Sequence, residues 1–290
     1  MNILIGGTGF IGSALARELI KRNKEVISIA RPGGGDIAGV EYISTHLESD
    51  PLPRPLVDRA ENVFILIGQA GPSFDTEKEE KLLRRVVTPL VKGTQRVFFF
   101  SSVLVYGDTP KPADEQSPCR PVGEYPKFKL ASEAILRDLI PPERLIIFRL
   151  GNVYGSPKNR GIIGLAMKKV VAPSDNAPLL LNGNGRMRRD YIFLDDVVGA
   201  VLAVAGQNDG VGTVNVATGR SVSSLDVVKI VSKVAAHTIP YQLVDNKPDE
   251  AGVVLVSNRH LVKDYGYQHF TGFEDGLRET LSRYGEGTEQ

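Results

Sequence analysis

Seven residues near the start, Gly6-Gly7-Thr8-Gly9-Phe10-Ile11-Gly12, limit the fold of this chain more than any others. They follow a short apolar run, Asn2–Ile5. They lead into Ile11–Arg22, where Ile11, Leu15 and Leu19 recur at helical spacing and Lys21, Arg22 and Lys24 gather at the C-terminal end. A strand, a glycine-rich turn and a helix in that order need small residues for three reasons. One glycine permits the sharp turn, one lets a pyrophosphate approach the backbone, and one lets the helix pack close on the strand. The helix N-terminus then presents N–H groups and the positive end of its dipole to the phosphates. The segment therefore predicts a dinucleotide-binding turn with Gly6, Gly9, Phe10, Ile11 and Gly12 against the cofactor. A tight turn without a ligand is the plain alternative.

The same rhythm continues. Val26–Ala30 reads as a second strand and Arg31–Gly35, with one proline and three glycines, as a loop. Val63–Ile67 is a third apolar run. Glu77–Val91 reads as a helix with Leu82, Leu83, Val86, Val87 and Leu90 on one side, and Arg96–Ser101 as a strand. A proline-rich loop, Thr109–Pro121, precedes a helix over Pro126–Leu139 and a strand over Arg144–Leu150. Short apolar runs bounded by turns, with helices between them, predict a parallel sheet covered on both faces. This is a doubly wound α/β (Rossmann) fold. Beyond Tyr154 the pattern loosens. The expected organisation is a dinucleotide-binding domain over 1–155, to which 190–218 returns. A smaller C-terminal substrate lobe, built from 156–189 and 219–290, closes over the carboxyl edge of the sheet.

The residue after the second strand bears on which dinucleotide is bound. An acid there would hold a ribose 2′-hydroxyl, whereas an arginine accommodates a 2′-phosphate. Val26-Ile27-Ser28-Ile29-Ala30 is followed by Arg31, with Glu25 before the strand and Asp36 beyond the glycines. NADP(H) is favoured over NAD(H). The alternative for Arg31 is a solvent-facing loop arginine beside Pro32.

Composition removes several classes. Thirty-five Lys and Arg balance 34 Asp and Glu, a net charge of +1, which argues against bulk nucleic-acid or membrane-surface binding. The longest apolar runs are far too short to span a bilayer. No basic stretch precedes an apolar one at the N-terminus, so a cytoplasmic protein without a signal peptide is expected. A single cysteine, Cys119, excludes an intramolecular disulfide and a multi-cysteine zinc site. The four histidines lack paired ligand spacing, so no metal is expected. Asp195-Asp196 opens a helical stretch over Asp195–Ala205, precedes Val197–Ala205, and reads as capping.

Tyr125-Pro126-Lys127-Phe128-Lys129 places Lys one helical turn after Tyr, so both can face one site. With nine tyrosines and fifteen lysines, chance supplies roughly half of one such match. A second copy, Tyr154 to Lys158, has Gly155 and Pro157 between its ends and cannot be a helix interior. Pro126 suits a first helical turn. Upstream, a strand delivers Ser102 to the carboxyl edge of the sheet, where such folds bind ligands. A free phenol titrates near 10. A lysine ammonium, together with a nicotinamide cation, would lower Tyr125 enough to exchange a proton with a hydroxyl or carbonyl while Ser102 hydrogen-bonds the same oxygen. The alternative is a buried tyrosine with a snorkelling lysine.

Several segments occur in a telling order: Gly6–Gly12, Ser101-Ser102 with Val105-Tyr106-Gly107, Tyr125, Lys129 and Glu133, and Arg149 with Asn152-Val153-Tyr154-Gly155. Gly183-Asn184-Gly185, Arg189-Asp190-Tyr191 and Asp195-Asp196-Val197 complete the series. As a set, spread over nearly the whole chain, they resemble the extended short-chain dehydrogenase/reductases, the nucleotide-sugar epimerase/dehydratase family. The resemblance implies a Ser102-Tyr125-Lys129 site, a nucleoside-diphosphate sugar as substrate, and a homodimer formed by Glu77–Val91 and Pro126–Leu139. It further implies Asn152 at the sugar-diphosphate site and Arg189 on the diphosphate. Lys247 stands where a later phosphate motif normally begins with Arg. Val103 and Leu104 replace the Asp-Glu pair of C5–C6 dehydratases. His46-Leu47 replaces an acid that meets adenine, and the usual Asn opening the fourth helix falls near Glu77. The function implied is NADPH-dependent reduction of a 4-keto sugar. The alternatives are a nucleotide-sugar 4-epimerase and, more remotely, a non-catalytic NADP-sensing regulator.

Overall fold

The computed structural model describes residues 1–68, 75–172, 177–207, 210, 212–245 and 251–286. In chain order the elements begin β1 (Asn2–Ile5), α1 (Phe10–Lys21), β2 (Val26–Ala30), β3 (Val40–Ser44), α2 (Arg54–Val57), β4 (Asn62–Ile65) and α3 (Thr76–Val87). They continue with β5 (Arg96–Ser102), α4 (Glu124–Leu139), β6 (Leu145–Leu150), β7 (Asn152–Tyr154), α5 (Ile162–Val171), β8 (Leu179–Asn182), β9 (Arg188–Phe193) and α6 (Leu194–Ala205). The last are β10 (Gly212–Val216), β11 (Ser221–Ser223), α7 (Ser224–Val234), β12 (Tyr241–Val244), α8 (Arg259–Asp264) and α9 (Phe273–Glu286).

Seven strands form one sheet in the order β10-β6-β5-β4-β1-β2-β3. Strands β3, β2, β1, β4 and β5 run parallel. The chain winds outward from β1 to β3, then returns to the other side of β1 as β4. The loop after β1 therefore opens at the point where the winding reverses, which is where doubly wound sheets hold ligands. Both sheet faces are apolar because helices cover both. On one, Val97 and Phe99 of β5 join Leu83, Val86 and Val87 of α3 and Ile135 and Leu136 of α4. Elsewhere in the sheet, Phe64, Phe98 and Phe148 stack across three neighbouring strands, with centroids 4.6 and 6.0 Å apart.

Two expectations change. Helix α3 stops at Val87 and tightens into a 3₁₀ turn over Thr88–Leu90 rather than running to Val91. Pro89 has no N–H to return to the preceding turn and its ring crowds it. Leu83, Val86 and Val87 lie in the core, facing the sheet rather than outward. Strand β3 was not expected at all. Its Val-Glu-Tyr-Ile-Ser run is mixed because it is the edge strand, and none of its residues is fully buried.

The chain divides into two compact units. The first holds Met1–Val105, Glu124–Arg149 and Val204–Val214; the second holds Tyr106–Gly123, Leu150–Ala203 and Asn215–Gln290. In the second unit, β11, β9 and β7 form a three-stranded sheet and β12 pairs with β8. Its core gathers Tyr154, Tyr191 and Phe193 with Ile163, Val228 and Leu277. Asp195 and Asp196 sit in the first turn of α6, but their carboxylates reach further than capping. Asp195 pairs with Arg283 at 2.8 Å, and Asp196 accepts from the Thr271 N–H and hydroxyl, both at 2.8 Å. No described helix is long and apolar enough to cross a membrane. Among the described residues, no group of His, Cys, Asp and Glu is placed to hold a metal ion.

Candidate active site

The glycine turn has the shape a pyrophosphate requires. Gly6 leaves β1 with φ +88°, which only glycine adopts without strain. A Cβ on Gly12 would sit 2.7 Å from the Gly6 carbonyl oxygen and from the Gly7 Cα, so the helix can approach the turn only with glycine there. Gly9 is the N-cap of α1 in extended backbone; it supplies no side-chain cap, and the first turn holds no acid. The leading N–H groups of α1, beginning with Phe10 and Ile11, are thus donors without intrahelical acceptors, at the positive end of the helix. These residues fit a dinucleotide phosphate.

Arg31 follows β2 and is exposed. Its loop lies beside the glycine turn: a Cβ on Gly34 would stand 3.2 Å from the Thr8 side chain, and Ile37 N–H donates to the Tyr42 hydroxyl at 3.2 Å. A guanidinium is therefore carried on a loop fastened next to the phosphate-binding turn.

Ser102 ends β5 and is buried, its hydroxyl accepting from the Leu104 N–H at 3.2 Å. Tyr125 and Lys129 lie one turn apart in α4, with the ammonium nitrogen 5.7 Å from the Tyr125 ring centroid. Lys129 is buried, reaches across the strand ends and donates to the carbonyls of Ile67, at 3.1 Å, and Phe100, at 2.9 Å. The structure thus brings Tyr125 and Lys129 together and fixes Lys129 to the strand that carries Ser102. The decoy Tyr154 ends β7, and Gly155 follows it with φ +118°, so Lys158 is not one helical turn away.

The electrostatics run against the expectation that Lys129 lowers Tyr125 unaided. Burial pushes the Tyr125 phenol up to about 12. Burial also lowers the Lys129 amine to about 7, opposed by the charges of Glu79 and Glu133. Desolvation disfavours both charged forms, so it outweighs the lysine's help in the protein alone. Tyr125 stays a phenol at neutral pH, as an unperturbed tyrosine also would.

Sequence reasoning did not assign Glu133 a place in this site. Its fully buried carboxylate accepts from the Ser101 hydroxyl at 2.6 Å, from Arg149 at 3.0 and 2.7 Å, and from Arg137 at 3.1 Å. It joins α4 to β5 and β6 one turn beyond Lys129, and the i+4 spacing from Lys129 was its only local signal.

The remaining expected residues lie in the second unit. Asn152 is half-buried on β7, opposite Tyr191 of β9. Arg189 is buried in β9; one guanidinium nitrogen donates to the carbonyls of Arg188, at 2.9 Å, and Gly252, at 3.2 Å, and another to Ala251 at 2.6 Å. It clasps the chain at 251–252. Lys247 lies outside the described residues. Asp190, next to Arg189 in the chain, accepts from the Thr218 N–H and hydroxyl and from the Arg220 N–H; burial raises its carboxyl to about 6, against those hydrogen bonds.

The chain is similar to known proteins over most of its length. The sequence model of the NAD dependent epimerase/dehydratase family matches residues 3–217. A dTDP-6-deoxy-L-talose 4-dehydrogenase (NAD(P)(+)) of Kitasatospora kifunensis is 28% identical over 269 residues, 86% of this chain and 83% of that protein. A UDP-glucose 4-epimerase of Bacillus subtilis is 27% identical over 319 aligned positions, 95% of this chain and 94% of that protein. Among solved structures, the UDP-glucose 4-epimerase of Thermus thermophilus in complex with NAD superimposes with a TM-score of 0.85 at 24% identity, covering 98% of this chain and 99% of that one. At that identity the likeness is one of fold.

Proposed function

The chain belongs to the NAD dependent epimerase/dehydratase family, and from that membership we propose that it is an NADPH-dependent reductase of a 4-keto sugar carried on a nucleoside diphosphate. The observation that carries the reading is the placing of Tyr125 one helical turn from Lys129, an amine fastened to the end of the Ser102 strand. The dinucleotide, when bound, supplies the hydride. Tyr125 donates its proton to the carbonyl oxygen as that oxygen gains charge. Ser102 orients and hydrogen-bonds the same oxygen, and Lys129 in its ammonium form stabilises the phenolate left behind. Val103 and Leu104 leave no acid pair for a C5–C6 dehydration.

A 4-epimerase is the second reading, favoured by the likeness to the Bacillus enzyme over nearly the whole chain. Mass analysis of the dinucleotide retained by the purified protein separates the two. An exchangeable NADPH fits reduction, and one NAD that stays bound through turnover fits epimerisation.

NADP preference is assigned to Arg31. In Arg31→Ala, NADP affinity should fall by about 1.5–3 kcal/mol, the worth of charge-assisted contacts to a phosphate, with little change for NAD. Dissociation constants for both cofactors in both proteins decide it; equal affinity of the unaltered protein for NADP and NAD would sink the assignment.

Arg189, with Asn152 and Lys247, is assigned to the substrate's diphosphate. Arg189→Ala should weaken UDP or dTDP binding by more than about tenfold while leaving NADP binding unchanged. It should also lower the melting temperature, because the clasp on 251–252 is lost. Calorimetry showing unchanged nucleotide binding would refute the role. Pairing of α3 and α4 with a second copy stays part of this reading with a changed character. Their outward residues, Lys78, Lys81, Arg84, Lys127 and Arg137 among them, make it a polar contact rather than an apolar one.

A further inference from the structure

The loop that carries Arg31 has few means of holding itself. Pro32 is followed by Gly33, Gly34 and Gly35, which bring no side chain to fasten it. Two neighbours do so instead. Gly34 lies against Thr8 of the glycine turn. Gly35 lies against Tyr42 of the edge strand β3: its φ is +112°, and a Cβ there would fall on the Tyr42 ring. Past Gly35, the Ile37 N–H donates to the Tyr42 hydroxyl at 3.2 Å. One side chain thus holds the loop twice, by its ring and by its oxygen. The sheet explains why it can. Tyr42 pairs with Ser28 of β2, and Ser28 with Leu4 of β1, so the three stand in one row on one face. The next residue along each strand, Ile5, Ile29 and Ile43, joins the core on the opposite face. In that row Leu4 and Ser28 meet the glycine turn, since a Cβ on Gly7 would stand 2.9 Å from the Leu4 Cβ and 2.5 Å from the Ser28 Oγ. The same row therefore supports the phosphate-binding turn at Leu4 and Ser28 and the Arg31 loop at Tyr42.

We infer that Tyr42 is a positioning residue for cofactor choice, which holds the glycine loop so that the Arg31 guanidinium stays beside the phosphate-binding turn, ready for a ribose 2′-phosphate. The inference rests on the assignment of Arg31 to NADP made above. A loop that must be ordered on binding takes that cost out of the affinity, and a loop already held does not. NAD has no 2′-phosphate for Arg31 to meet, so the gain falls on NADP alone.

Dissociation constants for NADP and NAD, measured in the unaltered protein and in each variant, test this. Tyr42→Ala should weaken NADP about threefold to tenfold and leave NAD unchanged. Tyr42→Phe keeps the ring against Gly35 and loses the bond from Ile37, so its loss should be smaller. Gly35→Ala presses on the same contact from the loop and should act like Tyr42→Ala. In an Arg31→Ala background, Tyr42→Ala should remove nothing more, because the loop then carries no charge to place. Ile43→Ala is the control for a merely structural effect. It takes core packing from the same strand, so it should lower the melting temperature and leave the ratio of the two constants as it was. A Tyr42→Ala protein that keeps the unaltered NADP constant, where Arg31→Ala has lost it, overturns the inference. If Tyr42→Ala does not fold, the same result in Gly35→Ala does so. Equal weakening of NADP and NAD by Tyr42→Ala also overturns it, since the effect is then on the turn both cofactors share. Equal affinity of the unaltered protein for NADP and NAD is a separate failure: it removes the Arg31 assignment, and the inference falls with that premise.

Discussion

Tyr125→Phe is expected to cut turnover by about 10²–10⁴-fold, the usual worth of a general acid, with fold and cofactor affinity retained. The phenol is assigned as the proton donor, and the substitution removes one oxygen while keeping the ring beside Lys129. Lys129→Met should also slow turnover and in addition weaken dinucleotide binding. Ser102→Ala should cost less than Tyr125→Phe, since its part is to orient the oxygen. Tyr154→Phe is the matched control. Its hydroxyl reaches only the Phe273 carbonyl at 3.4 Å, and its ring packs on Phe193 and Phe273. The two tyrosine variants compared in one assay decide the matter. Full turnover in Tyr125→Phe would remove the mechanism and move a non-catalytic, NADP-sensing role ahead.

The largest loss of stability should come from Glu133→Ala. That carboxylate is fully buried and balances Arg149, itself buried, while accepting from Ser101. Deleting it strands a guanidinium out of water, which typically costs about 3–5 kcal/mol. In a chain of this size each kcal/mol lowers the melting temperature by about 2–4 °C. Thermal unfolding of Glu133→Ala should therefore fall by roughly 6–20 °C. Glu133→Gln, which keeps the shape and one acceptor, should lose less. An equal loss in both would place the stabilisation in the charge, and no loss in either would show that the buried network does not hold α4 to the sheet.

Much of this was legible in the residues because it is local. The Gly6–Gly12 turn reads from sequence since its demands, a positive φ at Gly6 and no side chain at Gly12, are met within a dozen residues of chain. Tyr125 and Lys129 read from spacing because a helix puts residues four apart on one face. Strand β3 did not read, because an edge strand lacks the unbroken apolar run of its neighbours. The end of α3 at Val87 was locally signalled by Pro89, and the apolar run through Leu90 masked it.

Sequence alone determined the doubly wound class, the strand, glycine turn and helix at the start of the chain, and the setting of Tyr125 and Lys129 on one helix, for each rests on backbone periodicity or on a steric demand between near neighbours. Tertiary structure decided the rest. It assigned Tyr106–Gly123 to the second unit, where the Thr109 and Ala113 N–H groups donate to the carbonyls of Val253 and Leu255, far along the chain. It turned Arg189 onto the carbonyls of 251–252 and placed Glu133 between two arginines. It also decided the electrostatics of the site, where burial raises the Tyr125 phenol and lowers the Lys129 amine. Whether a buried group keeps its charge depends on how much water the surrounding elements exclude and which opposite charges they bring, and those elements meet only when the chain has folded.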